Sequence, residues 1–81
     1  MLLEIISPDK KLFSGEAELV QLPGSKGSFE ILKNHAPIIS TLDKGVIKII
    51  APDGNKTTFE IDGGVIEAKN NKIIVLAEKV L

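Results

Sequence analysis

Turn-forming residues interrupt this chain roughly every eight to ten positions, and that spacing constrains its fold more than any other feature. The interruptions are Ser7-Pro8-Asp9, Ser14-Gly15, Pro23-Gly24, Asn34-His35-Ala36-Pro37, Asp43-Lys44-Gly45, Pro52-Asp53-Gly54-Asn55, Asp62-Gly63-Gly64 and Asn70-Asn71. Each supplies a fixed φ, a tolerated positive φ or a side chain that bonds its own backbone. The intervals are rich in isoleucine, valine and threonine, and none carries a helical stripe. They read as about nine strands: Leu2 to Ile6, Lys11 to Phe13, Glu16 to Leu22, Ser28 to Leu32, Ile38 to Leu42, Val46 to Ala51, Lys56 to Ile61, Val65 to Lys69 and Lys72 to Glu78.

The clearest alternation is in Lys56 to Asp62, where Thr57, Phe59 and Ile61 share one face and Lys56, Thr58, Glu60 and Asp62 the other. One face of that strand is expected to meet water. Val46-Ile47-Lys48-Ile49-Ile50 and Ile73-Ile74-Val75-Leu76 are apolar on both faces apart from Lys48. Two readings stay open for them: central strands covered on both sides, or an outer surface kept for a partner. In Glu16 to Leu22 the apolar phase slips between Leu19 and Val20, as a bulge or bend would cause.

At 81 residues and 8.7 kDa, with no cysteine and one histidine, the chain builds one apolar core without a disulfide, thiolate zinc or His-rich metal staple. An antiparallel β-sandwich occupying residues 1–81 as a single domain is the expected fold.

Ten basic against eleven acidic residues leave a net charge of −1, and all ten bases are lysine. Without arginine there is no bidentate fork for guanine or phosphate, and three phenylalanines offer little stacking surface, so nucleic acid is an unfavourable partner. Apolar runs such as Ile73 to Ala77 fall far short of the roughly 20 residues that span a bilayer. The opening Met1-Leu2-Leu3-Glu4 lacks the basic and long apolar regions of a secretory signal, which suggests a reducing cytosol.

Catalytic material is thin. His35 is the sole imidazole, and no serine sits in a Gly-x-Ser-x-Gly elbow. Pro23-Gly24-Ser25-Lys26-Gly27-Ser28 resembles a phosphate loop only superficially, because glycine follows the lysine and a strand pattern follows the turn. It reads as a glycine-rich turn or an exposed recognition tip. Pro37 biases Ala36 toward an extended conformation, so the Asn34 to Pro37 loop is expected to be stiff and to place His35 reproducibly, as a structural residue or as a contact. Thr41-Leu42-Asp43-Lys44-Gly45 is loosely similar to the lysine hairpin of lipoyl and biotinyl carrier domains, which gives an alternative function with Lys44 as the attachment site. Against it, the internal two-fold sequence symmetry of those carriers is missing.

Taken in order, Phe13-Ser14-Gly15, Pro23-Gly24-Ser25-Lys26-Gly27, His35-Ala36-Pro37, Gly45-Val46-Ile47-Lys48-Ile49, Gly63-Gly64-Val65-Ile66-Glu67 and Val75-Leu76-Ala77-Glu78 resemble the amino-terminal domain of the epsilon subunit of bacterial F-type ATP synthase. The spacing agrees across nearly the whole chain. The resemblance implies a flattened, ten-stranded β-sandwich, so the joint expectation is an all-β, flattened antiparallel sandwich of about nine to ten short strands. It also implies a non-catalytic central-stalk subunit without a cofactor. Such a subunit docks on the gamma subunit, stands on the ring of c subunits and turns with the rotor, coupling ion translocation to ATP synthesis. Its expected place is the cytoplasmic face of the bacterial inner membrane, held peripherally through the complex.

By the same resemblance, Lys26, Gly27, Ser28 and His35 are the expected c-ring contacts, and Ile38, Ile39 and Leu42 the expected gamma contacts. The sequence departs from the family where Glu30 replaces a common glycine and Lys33 a common proline. Most family members continue into a two-helix hairpin that carries inhibition of ATP hydrolysis. The 81 residues end before that segment, and neither inhibition nor ATP binding is carried over to them.

Overall fold

A computed structural model describes residues 1–81. Seven strands form it: β1 (Leu2–Ile6), β2 (Lys11–Glu16), β3 (Leu19–Leu22), β4 (Phe29–Leu32), β5 (Ile38–Ile50), β6 (Lys56–Lys69) and β7 (Lys72–Ala77). They hydrogen-bond in the order β2-β1-β7-β6-β5-β3-β4. The all-β expectation holds, while the count is seven rather than nine to ten. Ile38 to Leu42 and Val46 to Ala51 fuse into β5, and Lys56 to Ile61 and Val65 to Lys69 fuse into β6.

The fused strands explain how one sheet becomes two layers. β5 and β6 stay in register from Ile38↔Ala68 to Ile50↔Lys56. β7 pairs only with the second half of β6 (Gly64 to Lys69), and β3 only with the last residues of β5 (Lys48 to Ile50). The long ribbon therefore belongs to a five-stranded layer at one end (β2-β1-β7-β6-β5) and a four-stranded layer at the other (β4-β3-β5-β6). Glu18 N–H donates to the Ile50 carbonyl at 2.7 Å and Ala17 N–H to the Met1 carbonyl at 2.8 Å, tying the ends of the two layers together.

At the fold-over, Asp43 and Gly63 drop out of the ladder between Leu42↔Gly64 and Lys44↔Asp62. Gly63 has φ +113°, which an L side chain rarely adopts, and it lets the strand turn without breaking. The inward side of each strand changes phase at this point. Phe59 and Ile61 turn inward before the bend and Ile66 and Ala68 after it; likewise Leu42 gives way to Ile47 and Ile49. A phase change in the alternation looks, in sequence, like the end of one strand and the start of another.

Two further expectations are refined. The slip between Glu16 and Leu22 is not a bulge: β2 ends at Glu16, Ala17 is buried, and the chain crosses to the other layer before β3 starts. The sandwich is antiparallel except for one ladder, β1 with β7, which runs parallel from Leu2↔Lys72 to Ile6↔Leu76.

The core is one cluster of 15 buried residues with no buried polar side chain. Leu3, Ile5, Ile66, Ile73 and Val75 from one layer face Val20, Leu22, Ile47, Ile49 and Ile61 from the other, all fully or almost fully enclosed. Phe13 of β2 and Phe59 of β6 meet edge to face across the layers, with ring centroids 6.0 Å apart and planes at 75°.

Candidate functional site

Two surfaces stand out, and both involve the first half of β5. The first is an edge groove of about 570 Å³, lined on one side by Gly24 to Phe29 and on the other by Ile38 to Thr41. The expected c-ring residues Lys26, Gly27 and Ser28 thus lie opposite the expected gamma residues Ile38 and Ile39. The turn is fastened to the strand edge. Ser25 N–H donates to the Thr41 carbonyl at 3.1 Å, and Asp43 N–H donates to the Pro23 carbonyl at 2.8 Å. Ser25 Oγ donates to Asp43 Oδ1 at 3.0 Å and accepts from Thr41 Oγ1 at 2.9 Å. Lys26 makes none of the chain's ion pairs, which join Met1 to Glu16 and Glu4 to Lys11 and Lys72.

His35 lies outside the groove lining, on the crossing from β4 to β5. Its Nδ1 is 3.0 Å from the Ala36 carbonyl, to which it donates, while its buried Nε2 has no partner within the chain. The loop is anchored from the β6–β7 turn: Asn34 N–H donates to Asn71 Oδ1 at 2.6 Å, and Asn71 Nδ2 returns a bond to Asn34 Oδ1 at 3.1 Å. Both asparagines are left-handed, with φ 64° and 58°, a conformation asparagine tolerates better than most residues. The bonds fasten the His35 loop to the β6–β7 turn by a clamp that no local motif announces.

The second surface is the outer face of the five-stranded layer. Register places Thr41, Val65, Leu76 and Ile6 in one row, and Ile39, Glu67, Ile74 and Glu4 in the next. Ile39 is 74% exposed, Leu76 53% and Val65 41%. The apolar residues form a patch bordered by charge. Within it Glu4 Oε2 lies 2.9 Å from Lys11 Nζ, and Lys72 approaches its other oxygen at 3.9 Å. The hydrogen bond and the charge of Lys11, with help from Lys72, hold the Glu4 carboxyl below the usual carboxylate range.

The doubly apolar strands are not covered on both sides: Ile47, Ile49, Ile73 and Val75 face the core, while Val46 and Leu76 are about half exposed. A smaller apolar row, Leu32, Leu19 and Ile50, lies on the outside of the four-stranded layer. Ile39 and Thr41 both line the edge groove and lie on the outer face of the five-stranded layer, and Ile39 is the apolar one of the two.

Leu42 does not reach either surface. It is 5% exposed and belongs to the core, because residues of even number point inward in this half of β5. Ile38 shares that direction and is only partly covered, packing against the core. Lys44 is exposed in the middle of β5, opposite Asp62, and not at the tip of a hairpin. The carrier alternative loses its geometric basis there.

The family model of the ATP synthase delta/epsilon chain β-sandwich domain matches residues 1–81. The chain belongs to that family. Among curated delta/epsilon relatives, the ATP synthase epsilon chain of Chlorobaculum tepidum is 42% identical over 78 residues, covering 96% of this chain and 89% of that one. The epsilon chain of Campylobacter fetus subsp. fetus is also 42% identical, over 76 residues, covering 94% of this chain and 59% of that one. Relatives thus differ in how much chain lies outside the shared domain. Among solved structures, a chain of the Euglena gracilis mitochondrial ATP synthase (OSCP/F1/c-ring) superposes with a TM-score of 0.93 at 16% identity, covering all of this chain and 52% of that one. A chain of the Tetrahymena thermophila mitochondrial ATP synthase central stalk/c-ring gives 0.83 at 15% identity, covering all of this chain and 65% of its own. At such identities these two speak for the fold.

Proposed function

We propose that this epsilon-type domain is a non-catalytic central-stalk subunit of an F-type ATP synthase, joining the gamma subunit to the c-ring so that ion translocation drives ATP synthesis. The observation that carries the reading is the match to epsilon chains along nearly its entire length, at 42% identity to the Chlorobaculum protein. The structure supports it with two adjoining surfaces shaped for docking. The edge carrying Lys26, Gly27 and Ser28, with the His35 loop beside it, is the foot on the ring. The apolar outer face around Ile39, Val65 and Leu76 is the seat for gamma.

Because Ile39 belongs to both surfaces, gamma and the ring meet this subunit side by side and hold it as one rotor. Leu42 supports the gamma seat from beneath, and Ile38 from the core side of the same strand. No helix here is long and apolar enough to cross a membrane. The chain is held at the membrane through its complex, at the cytoplasmic face.

The test is to tag the chain in its host, solubilise the membranes gently and identify by mass spectrometry what elutes with it. Gamma, beta and c subunits in constant ratio are expected. Elution with a dehydrogenase or carboxylase complex, or without any rotor subunit, would overturn the reading.

A further inference from the structure

The Asp43-Lys44-Gly45 motif has no role as a displayed lysine, yet its two flanking residues make specific contacts with the 23–28 turn. Asp43 engages that turn through both its backbone and its side chain, at Pro23 O (2.8 Å) and Ser25 Oγ (3.0 Å). Gly45 lies against Pro23: a Cβ built at 45 would stand 2.7 Å from the proline Cβ. Any side chain there would push the start of the turn away from the strand. Thr41 completes the contact by donating to the same serine oxygen at 2.9 Å.

The turn itself closes tightly above this seat. Gly27 N–H donates to the Gly24 carbonyl at 3.0 Å, and a Cβ on Gly24 would come within 2.6 Å of the Gly27 carbonyl and 2.7 Å of the Phe29 ring. Fixed residues thus flank Lys26 on both sides, while Lys26 has no ion-pair partner of its own. A turn made of glycine and serine would, unaided, sample many conformations, and binding would have to order it at a cost.

We propose that Asp43 and Gly45 are positioning residues that seat the 23–28 turn on β5 and set the attitude in which Lys26 is presented to acceptor groups on the c-ring. The inference rests on the reading of this edge as the foot on the ring. Asp43 acts through Ser25 and Pro23 and touches no partner itself. The role of the motif is therefore to pre-organise its neighbour, and the lysine between the two residues is incidental to it.

Rebinding of the full-length chain to rotors of gamma and c-ring stripped of it tests the proposal, read beside backbone amide exchange in the free chain at Ser25, Gly27 and Asp43, whose N–H groups donate to Thr41, Gly24 and Pro23. Asp43→Ala should speed exchange at those three amides and weaken rebinding by roughly five- to tenfold. Asp43→Asn, which keeps an acceptor for Ser25 Oγ, should restore most of both. Gly45→Ala should reproduce the exchange effect by the steric route. Unchanged exchange in Asp43→Ala overturns the seat whatever the ring does. If exchange rises and Lys26→Glu abolishes rebinding while Asp43→Ala rebinds normally, the foot stands and the positioning role falls. If Lys26→Glu also rebinds normally, the foot itself is wrong, and with it the claim that the seat serves the ring.

Discussion

Ile39 and Leu42 lie three residues apart on one strand and face opposite sides of it, so the proposed gamma seat predicts opposite effects for one pair of substitutions. Fully burying a leucine or isoleucine side chain contributes about 1.5–3 kcal/mol. Ile39 is 74% exposed in the free chain, so docking has about 1.1–2.2 kcal/mol still to gain there and the fold has little to lose. Ile39→Thr keeps a β-branched residue in the strand. It should raise the dissociation constant for gamma roughly five- to thirtyfold and lower the thermal midpoint by less than about 5 °C. Leu42, at 5% exposure, sits in the core, where Leu→Ala costs about 2–5 kcal/mol. A domain of this size has roughly 4–12 kcal/mol in total, so Leu42→Ala should lower the midpoint by at least about 8 °C. At a temperature where the variant remains folded, its affinity for gamma should stay within about threefold of the parent. The assay is a thermal melt of the free chain paired with calorimetric titration of purified gamma. Unchanged affinity in Ile39→Thr, or a loss of affinity in Leu42→Ala without loss of stability, would refute the assignment of faces.

Three other outcomes are open to direct measurement. Gly64→Ala should be severe, because its Cβ would stand 2.4 Å from the Leu76 carbonyl, a backbone atom of the neighbouring strand; about 3 kcal/mol is expected by urea unfolding. Gly54→Ala, with open space around it and only a φ of +89° to accommodate, should cost about 1–2 kcal/mol, and equal losses at the two positions would contradict the packing argument. Lys11→Met should move the Glu4 titration upward toward 4.5, as followed by NMR. Because the folded-state value is depressed, Glu4's contribution is present above 4.5 and disappears as pH falls through the folded value. The parent should therefore lose more stability than the variant on going from pH 7 to acid. Intact mass of the chain purified from its host should show Lys44 unmodified, and a stoichiometric lipoyl or biotinyl addition would revive the carrier reading.

Much of the fold was legible because strands announce themselves by composition and turns by residue type. Boundaries at Ile6, Leu22, Leu32, Ile38 and Lys72 follow from the breakers near them, and the observed strands start or stop at these residues. The miscount came from treating Asp43-Lys44-Gly45 and Asp62-Gly63-Gly64 as ends. Locally they resemble other breakers, and the alternation does change phase across them. What distinguishes them is non-local: each lies opposite the other in the β5–β6 register, so both strands bend together and the ladder survives on either side. A single strand carries no record of its partner's bend.

The site was legible to a different depth. The proposed contacts Lys26, Gly27, Ser28, His35 and Ile39 can be singled out from sequence, because glycine-rich and proline-stiffened loops signal themselves and an isoleucine pair invites a face. Their supports were not found. Asn71 reaches Asn34 across 37 residues, and Asp43 reaches Ser25 across 18, distances over which a sequence shows no pairing. Leu42 was misplaced for a sharper reason. In a strand, direction depends on parity alone, and Ile38, Ile39 and Leu42 mix the two parities of β5. The exposed apolar patch on this strand draws on residues in phase with Ile39 and gathers its remaining members, Val65 and Leu76, from positions more than twenty residues away in sequence. A docking face on a β-sandwich is therefore a row across strands, and the periodicity of one strand supplies only one member of it.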